Sequence, residues 1–506
     1  MASALMHHGL ESAADRFPGR TALLLDESSL SFAELNALSN AFAHVLAERG
    51  VTKGDRVAMM LTNRLEFSAA LHGVSKLGAA AILISPAWKS FEVAHAVSLT
   101  DPAFGIADGS CLAVLAEVLG PEHVLDLDGE AAPGLLSGHV AAPSPPEISA
   151  TDEAVLVFSS GTTDRPKAVR HTHHSIGRGT DHWIEALGLT ADDRFQIVTP
   201  PSHILGALNL LAAAKAGSTV RLHRRFDLDE SLRRVASDRL TLEMAVAPIA
   251  LAMANHPDLE SHDLSSLRYI MWGATPVTAS VAELVTKRTG VPWLPAYGAS
   301  EVPVIACNPV TEPDAWRLDS VGKPVGDVTL RVADLETGEI LASGGIGEIQ
   351  ISSESTMAGY LPEEASTEAF ADGWYRTGDV GWLEPDGWVH LTDRCKEMIK
   401  VSGFQVAPAE IEAVLLGHPD VVDCAVFSVD DERAGEVPVA AVVLATGATT
   451  RPEDLQALVA DTLASYKRLR RVLLVDAIPR LASGKALRRE LRDEWAEQIA
   501  LELARN

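Results

Sequence analysis

Residues 54–85 place the tightest limit on the fold. They read GDRVAMML, then EFSAALHGVSKLG, then AAAILIS: an apolar strand, a helix and a second apolar strand that stops at Pro86. Such alternation argues for a parallel α/β sheet, because parallel neighbours need a long crossover and a helix supplies it. Another helix is expected over 32–48, where apolar groups recur at helical spacing before Gly50 and Gly54. The Pro/Ser-rich stretch 141–152 leads into a further apolar strand, EAVLVF. From about 320 to 392 the texture changes to short strands and Gly-rich turns, which predicts a β-rich region. Beyond Asp393, helical AEIEAVLLGH, strands DCAVFSV and VPVAAVVLA, and helices near 452–465 and 485–505 predict a mixed α+β unit.

Composition narrows the function. The chain has 506 residues, and 42 Lys+Arg against 69 Asp+Glu give a net charge of −27. That balance opposes binding to nucleic acid or to an anionic membrane. Cys111, Cys307, Cys395 and Cys424 are far apart and form no CxxC, so neither a disulfide framework nor a zinc site is expected. The N-terminus has no basic segment followed by an apolar one, and Ile204–Ala216 is too short to span a bilayer. A soluble enzyme of a reducing, cytoplasmic compartment is the expectation, as a monomer or a homodimer.

The strongest local signal is Phe158-Ser-Ser-Gly-Thr-Thr-Asp-Arg-Pro-Lys167, directly after an apolar strand. Hydroxyls and backbone N–H groups there can converge on an anion at the strand's end, and Lys167 adds a cation. It is not a GxxxxGK[ST] loop. Four segments follow in order: Tyr297-Gly-Ala-Ser-Glu301, Trp374-Tyr-Arg-Thr-Gly-Asp379, Asp393-Arg394 with Lys400-Val-Ser-Gly-Phe-Gln-Val-Ala-Pro408, and Pro479-Arg-Leu-Ala-Ser-Gly-Lys485.

In this order and spacing the five motifs resemble the adenylate-forming superfamily of acyl- and aryl-CoA synthetases, 4-coumarate:CoA ligases, luciferases and peptide-synthetase adenylation domains. The resemblance runs from about Leu30 to Leu491. It implies a large N-terminal domain of parallel α/β sheets with a β-rich barrel-like subdomain (1–392), and a small mobile α+β lid (393–506) hinged at Asp393. It also implies the reaction: a carboxylate attacks the α-phosphorus of ATP, pyrophosphate leaves, and the acyl-adenylate passes to a second nucleophile. Ser159, Ser160, Gly161, Thr162 and Thr163 would form the phosphate loop with Lys167. Glu301 would be the Mg²⁺ ligand, a hard oxygen donor, and Ser300 would donate to the α-phosphate. Tyr297, flanked by Ala296 and Gly298, would stack on adenine. Asp379 would take the ribose hydroxyls with Arg394 in support. Lys485 would bridge carboxylate and α-phosphate during adenylation, which with Glu301, His203 and Thr162 completes the catalytic set.

His203 matches a family position beside the substrate carboxylate. Ile204 stands where amino-acid-activating relatives carry an Asp that pairs the ammonium group, which argues against an α-amino acid. Ile204, Leu205, Gly206, Asn209, Trp272, Gly273, Ala274 and Ala296 would line the acid pocket; the bulk of Trp272 there favours an aryl, arylalkenoic or short-to-medium acyl acid, and the alternative is that Trp272 belongs to the core. Arg225, with Lys400, Ser402 and Gly403, would face the acceptor. Asp164 replaces a usual Gly, Ala168 another, and Ser402 a Lys that contacts CoA in coumarate ligases. The expected acceptor is CoA. Carrier-protein loading, nitrite activation with diazotisation of an aryl amine, a luciferase-like oxidation and a catalytically silent nucleotide-binding protein remain open alternatives.

Overall fold

The computed structural model describes residues 5–130, 147–159, 166–273, 279–395, 397–401, 404–431, 434–480 and 486–503. The first strand–helix–strand unit forms as the sequence pattern demands: Arg56–Met60, helix Leu65–Lys76, then Ala80–Leu83, with the two strands parallel. They lie inside a seven-stranded sheet whose order is 359–361, 167–172, 153–159, 80–83, 56–60, 104–107, 124–126. The last five are parallel; the first two are antiparallel additions at one edge.

Helix Phe32–Glu48 begins at a capping box. The Ser31 hydroxyl accepts from the Glu34 N–H at 3.2 Å and the Glu34 carboxylate accepts from the Ser31 N–H at 2.8 Å. This helix packs against Leu65–Lys76, and Gly73 is what lets the two backbones meet. A Cβ there would lie 2.6 Å from Phe42 Cβ and 2.7 Å from the Ser39 carbonyl oxygen.

Two more sheets complete the large body. One orders 28–31, 21–25, 219–222 and 194–197; the other orders 243–245, 270–272, 293–297, 306–307 and 323–324. The β-rich region is a five-stranded antiparallel sheet built around Trp374–Leu383, which pairs with Gly347–Ser352, Phe370–Ala371 and Val389–Arg394.

From Ile399 onward the chain builds its own sheet, 404–406, 399–401, 435–444 and 421–431, with Arg471–Leu474 parallel to Gly435–Leu444. Helices Pro408–Leu416, Pro452–Thr462 and Arg488–Leu503 accompany it. Its two apolar clusters contain no residue from before Ile399. The four cysteines are free thiols. Among the described residues no helix is long and apolar enough to cross a membrane.

Because the atoms facing Gly73 include a backbone oxygen that cannot swing away, Gly73→Ala should destabilise the protein by about 1–3 kcal/mol. Urea denaturation reads this directly, and a midpoint equal to wild type would contradict the close helix contact.

Candidate active site

Strands from several sheets end around one cavity of about 860 Å³. Leu83 ends one strand and Ser85 lies just beyond it, Ser159 ends another, Thr199, Pro200 and Ser202 follow Arg194–Ile197, Val246 follows Glu243–Ala245, Gly273 follows Ile270–Trp272, and Gly298–Glu301 follow Trp293–Tyr297; all line it. Carboxyl ends of parallel strands are where loops can gather ligands without breaking the sheet.

One end of the cavity is polar. The hairpin register sets Ser159 opposite Lys167, so hydroxyl and ammonium reach the same wall. The Lys167 ammonium lies 5.3 Å from the centroid of the Tyr360 ring, and the Tyr360 hydroxyl donates to Glu301 Oε1 at 2.7 Å. Glu301 is 8% exposed. Burial, then the Glu301 charge, pushes the Tyr360 phenol above its ordinary range, so it stays a donor. The loop that carries Glu301 is held from behind. His171 Nε2 meets the Ser300 carbonyl oxygen at 2.8 Å, and the Met357 N–H donates to the Glu301 carbonyl at 2.8 Å. A carbonyl only accepts, so His171 carries its proton on Nε2; burial keeps the ring neutral, with its pKa down at about 4.

A second polar knot sits beside the first. The Tyr297 hydroxyl donates to Asp379 Oδ2 at 2.5 Å and Arg394 Nε pairs with Asp379 Oδ1 at 2.8 Å. Burial first, and the Asp379 charge second, hold the Tyr297 phenol far above its usual range, while the Asp379 carboxylate raises Arg394. Glu301 and Asp379 thus stand as buried carboxylates with hard oxygen donors beside a cation-lined wall, a donor set that fits Mg²⁺ and a nucleotide's phosphates and hydroxyls.

The other end is apolar. Trp183, Ile204, Leu205, Met244, Val246, Met271 and Gly273 line it, and His203, next to Ile204 in the chain, lines the cavity as well. His203 caps helix Ile204–Ala216, its Nδ1 accepting from the Leu205 N–H at 3.3 Å, so burial lowers its pKa and leaves a neutral imidazole.

The sequence profile of the AMP-binding enzyme family matches residues 10–361, and that of the AMP-binding enzyme C-terminal domain matches 410–485. The chain belongs to the AMP-binding enzyme family. A 4-coumarate–CoA ligase of Oryza sativa subsp. japonica is 34% identical over 487 residues, covering 93% of this chain and 90% of its own. Among solved structures, ATP-bound MatB of Rhodopseudomonas palustris superposes with a TM-score of 0.92 at 26% identity, covering 99% of this chain and 100% of its own. The amide bond synthetase McbA of Marinactinospora thermotolerans gives 0.87 at 30% identity, covering 97% and 100%. This AMP-binding enzyme is accordingly an adenylate-forming ligase that uses ATP.

The enzyme's structure brings Ser159, Lys167, His203, Ile204, Leu205, Gly273, Ala296, Tyr297, Gly298, Ser300, Glu301 and Arg394 to the cavity wall, with Asp379 bonded just behind. Ser160, Gly161, Thr162, Thr163, Asp164, Ala274, Ser402, Gly403 and Lys485 lie outside the described residues. Five residues expected at the pocket or the acceptor channel stand off this cavity wall. Trp272 is 1% exposed and packs edge-on against Trp293 at 5.3 Å in a separate apolar core. Strand alternation explains it: Met271 and Gly273 face the cavity, so Trp272 faces away. Asn209 sits behind the wall, accepting the Trp183 indole N–H at 2.6 Å. Gly206 packs against the Pro200 carbonyl, 2.4 Å from where a Cβ would be. Arg225 and Lys400 are exposed and off the cavity wall.

Trp183, His171 and Tyr360 were missed. Tyr360 follows Gly359 in a short strand, and nothing in its local pattern marks its long-range partner.

Glu243, one residue before the pocket-lining Met244, points into the opposite layer. Its Oε2 accepts from Gln196 Nε2 at 2.6 Å, and Gln196 Oε1 bonds His223 Nε2 at 2.7 Å. Burial outweighs these bonds and pushes its pKa from 4.5 to about 8. The carboxyl is therefore neutral when folded but ionised when unfolded between those values, so its contribution to stability is full below 4.5 and shrinks as pH rises towards 8. Glu243→Gln should remove that decline. In urea melts from acid to mildly alkaline pH, its advantage over wild type should grow with pH; parallel profiles would refute the assignment.

Proposed function

We propose that this enzyme activates an aryl, arylalkenoic or short-to-medium acyl carboxylic acid with ATP and transfers the acyl group to CoA. The observation that carries the reading is one cavity that joins a polar, carboxylate-and-cation set of side chains to an apolar set, with His203 also on its wall. Ile204, an uncharged side chain, stands on the cavity wall where an amino acid's ammonium would need a carboxylate.

In this reading Ser159 to Thr163, Lys167 and Ser300 hold the phosphates, while Asp379 and Arg394 hold the ribose. Glu301 holds Mg²⁺, which when bound neutralises phosphate charge. Tyr297 orients Asp379 through its hydroxyl and borders the adenine. His203, neutral and fixed by the Leu205 N–H, lies beside the acid's carboxylate. Lys485 supplies the charge that grows between carboxylate and α-phosphate. Residues 1–392 form the body and 393–506 the lid. Asp393 is the hinge: its carboxylate accepts from the N–H of Arg394 at 2.8 Å and of Ala409 at 2.9 Å, which ties the last body strand to the first helix of the lid.

An exposed aromatic pair supports a nucleotide-bearing acceptor. Phe404 stacks on Tyr466 at 4.5 Å and 13° while 54% exposed, with the exposed Arg468 two residues on. Rings beside cations suit a purine and its phosphates.

ATP–pyrophosphate exchange across a panel of acids tests the first step, and AMP release with CoA, with nitrite, with an amine or with none tests the acceptor. AMP release that needs nitrite or an amine and ignores CoA would overturn the acceptor assignment.

Removing a transition-state cation typically costs about 3–4 kcal/mol. Lys485→Ala should therefore cut pyrophosphate exchange by roughly two to three orders of magnitude. Thioester formation from supplied adenylate should fall far less; equal loss in both half-reactions would remove the role.

A further inference from the structure

The apolar end of the cavity has a floor that the sequence motifs do not mark. Trp183, on helix His173–Leu187, is 5% exposed and lines the cavity. Its indole N–H donates to Asn209 Oδ1 at 2.6 Å, and Asn209 is 1% exposed. An indole nitrogen only donates, so this bond fixes both the asparagine's orientation and the plane of the ring. Asn209 lies one helical turn beyond Leu205, which places the bond beneath the pocket wall that Leu205 forms.

The neighbouring floor residue is pinned as well. Met271 Sδ contacts Cys307 Sγ at 3.6 Å, and the same thiol reaches the Ala186 carbonyl at 3.6 Å, three residues on from Trp183. Behind both lies the main apolar core, with Leu187, Leu208 and Leu211 buried in it. Interiors this close-packed do not yield to an extra methylene without cost. The pocket therefore cannot deepen unless Trp183 moves, and Asn209 holds it.

We propose that Trp183, fixed by Asn209, is the specificity-determining floor of the acid pocket and limits the acid to a short, ring-bearing one with an uncharged far end. This rests on the reading of the cavity as a site of acid adenylation. The chemistry of the floor selects the class. An indole and the thioethers of Met244 and Met271 favour the edge and face of a flat ring, and none of these three side chains can pair an ionised tail.

The test is pyrophosphate exchange by the full-length enzyme against two series: benzoic, phenylacetic and cinnamic acids, and straight-chain acids of rising length. Wild type, Trp183→Ala, Trp183→Phe and Asn209→Leu are compared, with the KM for ATP as the reference. Trp183→Ala should gain about tenfold or more in kcat/KM for acids about two methylenes longer than the wild-type optimum, and lose on the short ring acids. Trp183→Phe should fall between the two, and it decides the matter if circular dichroism shows that the alanine variant is unfolded. Asn209→Leu should keep the optimum but broaden it. A length profile that superimposes on wild type in an active Trp183 variant overturns this inference alone. A wild-type enzyme inert towards every acid removes the adenylation reading and this inference with it.

Discussion

A parallel strand delivers its carboxyl end to the same side as its neighbour, and a crossover helix makes that arrangement repeat. Here the constraint acts through more than one sheet. Strands ending at Leu83 and Ser159 bring those end residues, and strands ending at Ile197, Ala245, Trp272 and Tyr297 bring residues that follow them, to one cavity. The antiparallel addition at the sheet edge matters as much, since it returns the chain so that Lys167 stands across from Ser159. A cation and a hydroxyl eight residues apart in sequence become partners because a ladder of backbone hydrogen bonds sets their register.

The polar end is held ready at a cost that is already met in the folded state. Asp379 is shared by Tyr297 and Arg394, and Glu301 by Tyr360. A buried carboxylate without such partners would shift its pKa and lose its charge. In the proposed reading, a nucleotide arriving there exchanges one set of partners for another instead of creating a charge in an apolar space. Such exchange costs little reorganisation, which is the condition under which fixed dipoles and charges act most strongly on developing charge.

Much of this was legible in the sequence, and the reasons differ from element to element. The helix at 32–48 and the strands at 54–61 and 79–85 appear within a residue or two, because apolar periodicity and capping are local properties. Ser159, Lys167, Glu301, Asp379 and Arg394 could be singled out because each lies in a short motif dense in polar and glycine residues. Trp272 could be read either as pocket or as core from the sequence, because alternation along Ile270–Trp272 decides which side chains face the cavity and a lone bulky residue does not reveal its phase. His171, Tyr360 and Trp183 were illegible for the opposite reason. Their partners are Ser300, Glu301 and Asn209, and only the assembled sheets bring the first two of those pairs together across 129 and 59 residues.

The pairing of Trp183 with Asn209 shows how a fold can carry variation without disturbing its chemistry. The polar end depends on residues whose partners are charged, and a change at any one of them leaves a buried charge exposed to an apolar surround. The floor depends on packing and one neutral hydrogen bond, where a substitution costs contact area and a modest bond energy. In the proposed reading, selection for a different acid therefore meets far less resistance at the floor than at the polar wall. A shared activation step with divergent acids is the expected outcome of that difference, and Trp183 stands on the side of the cavity where divergence costs least.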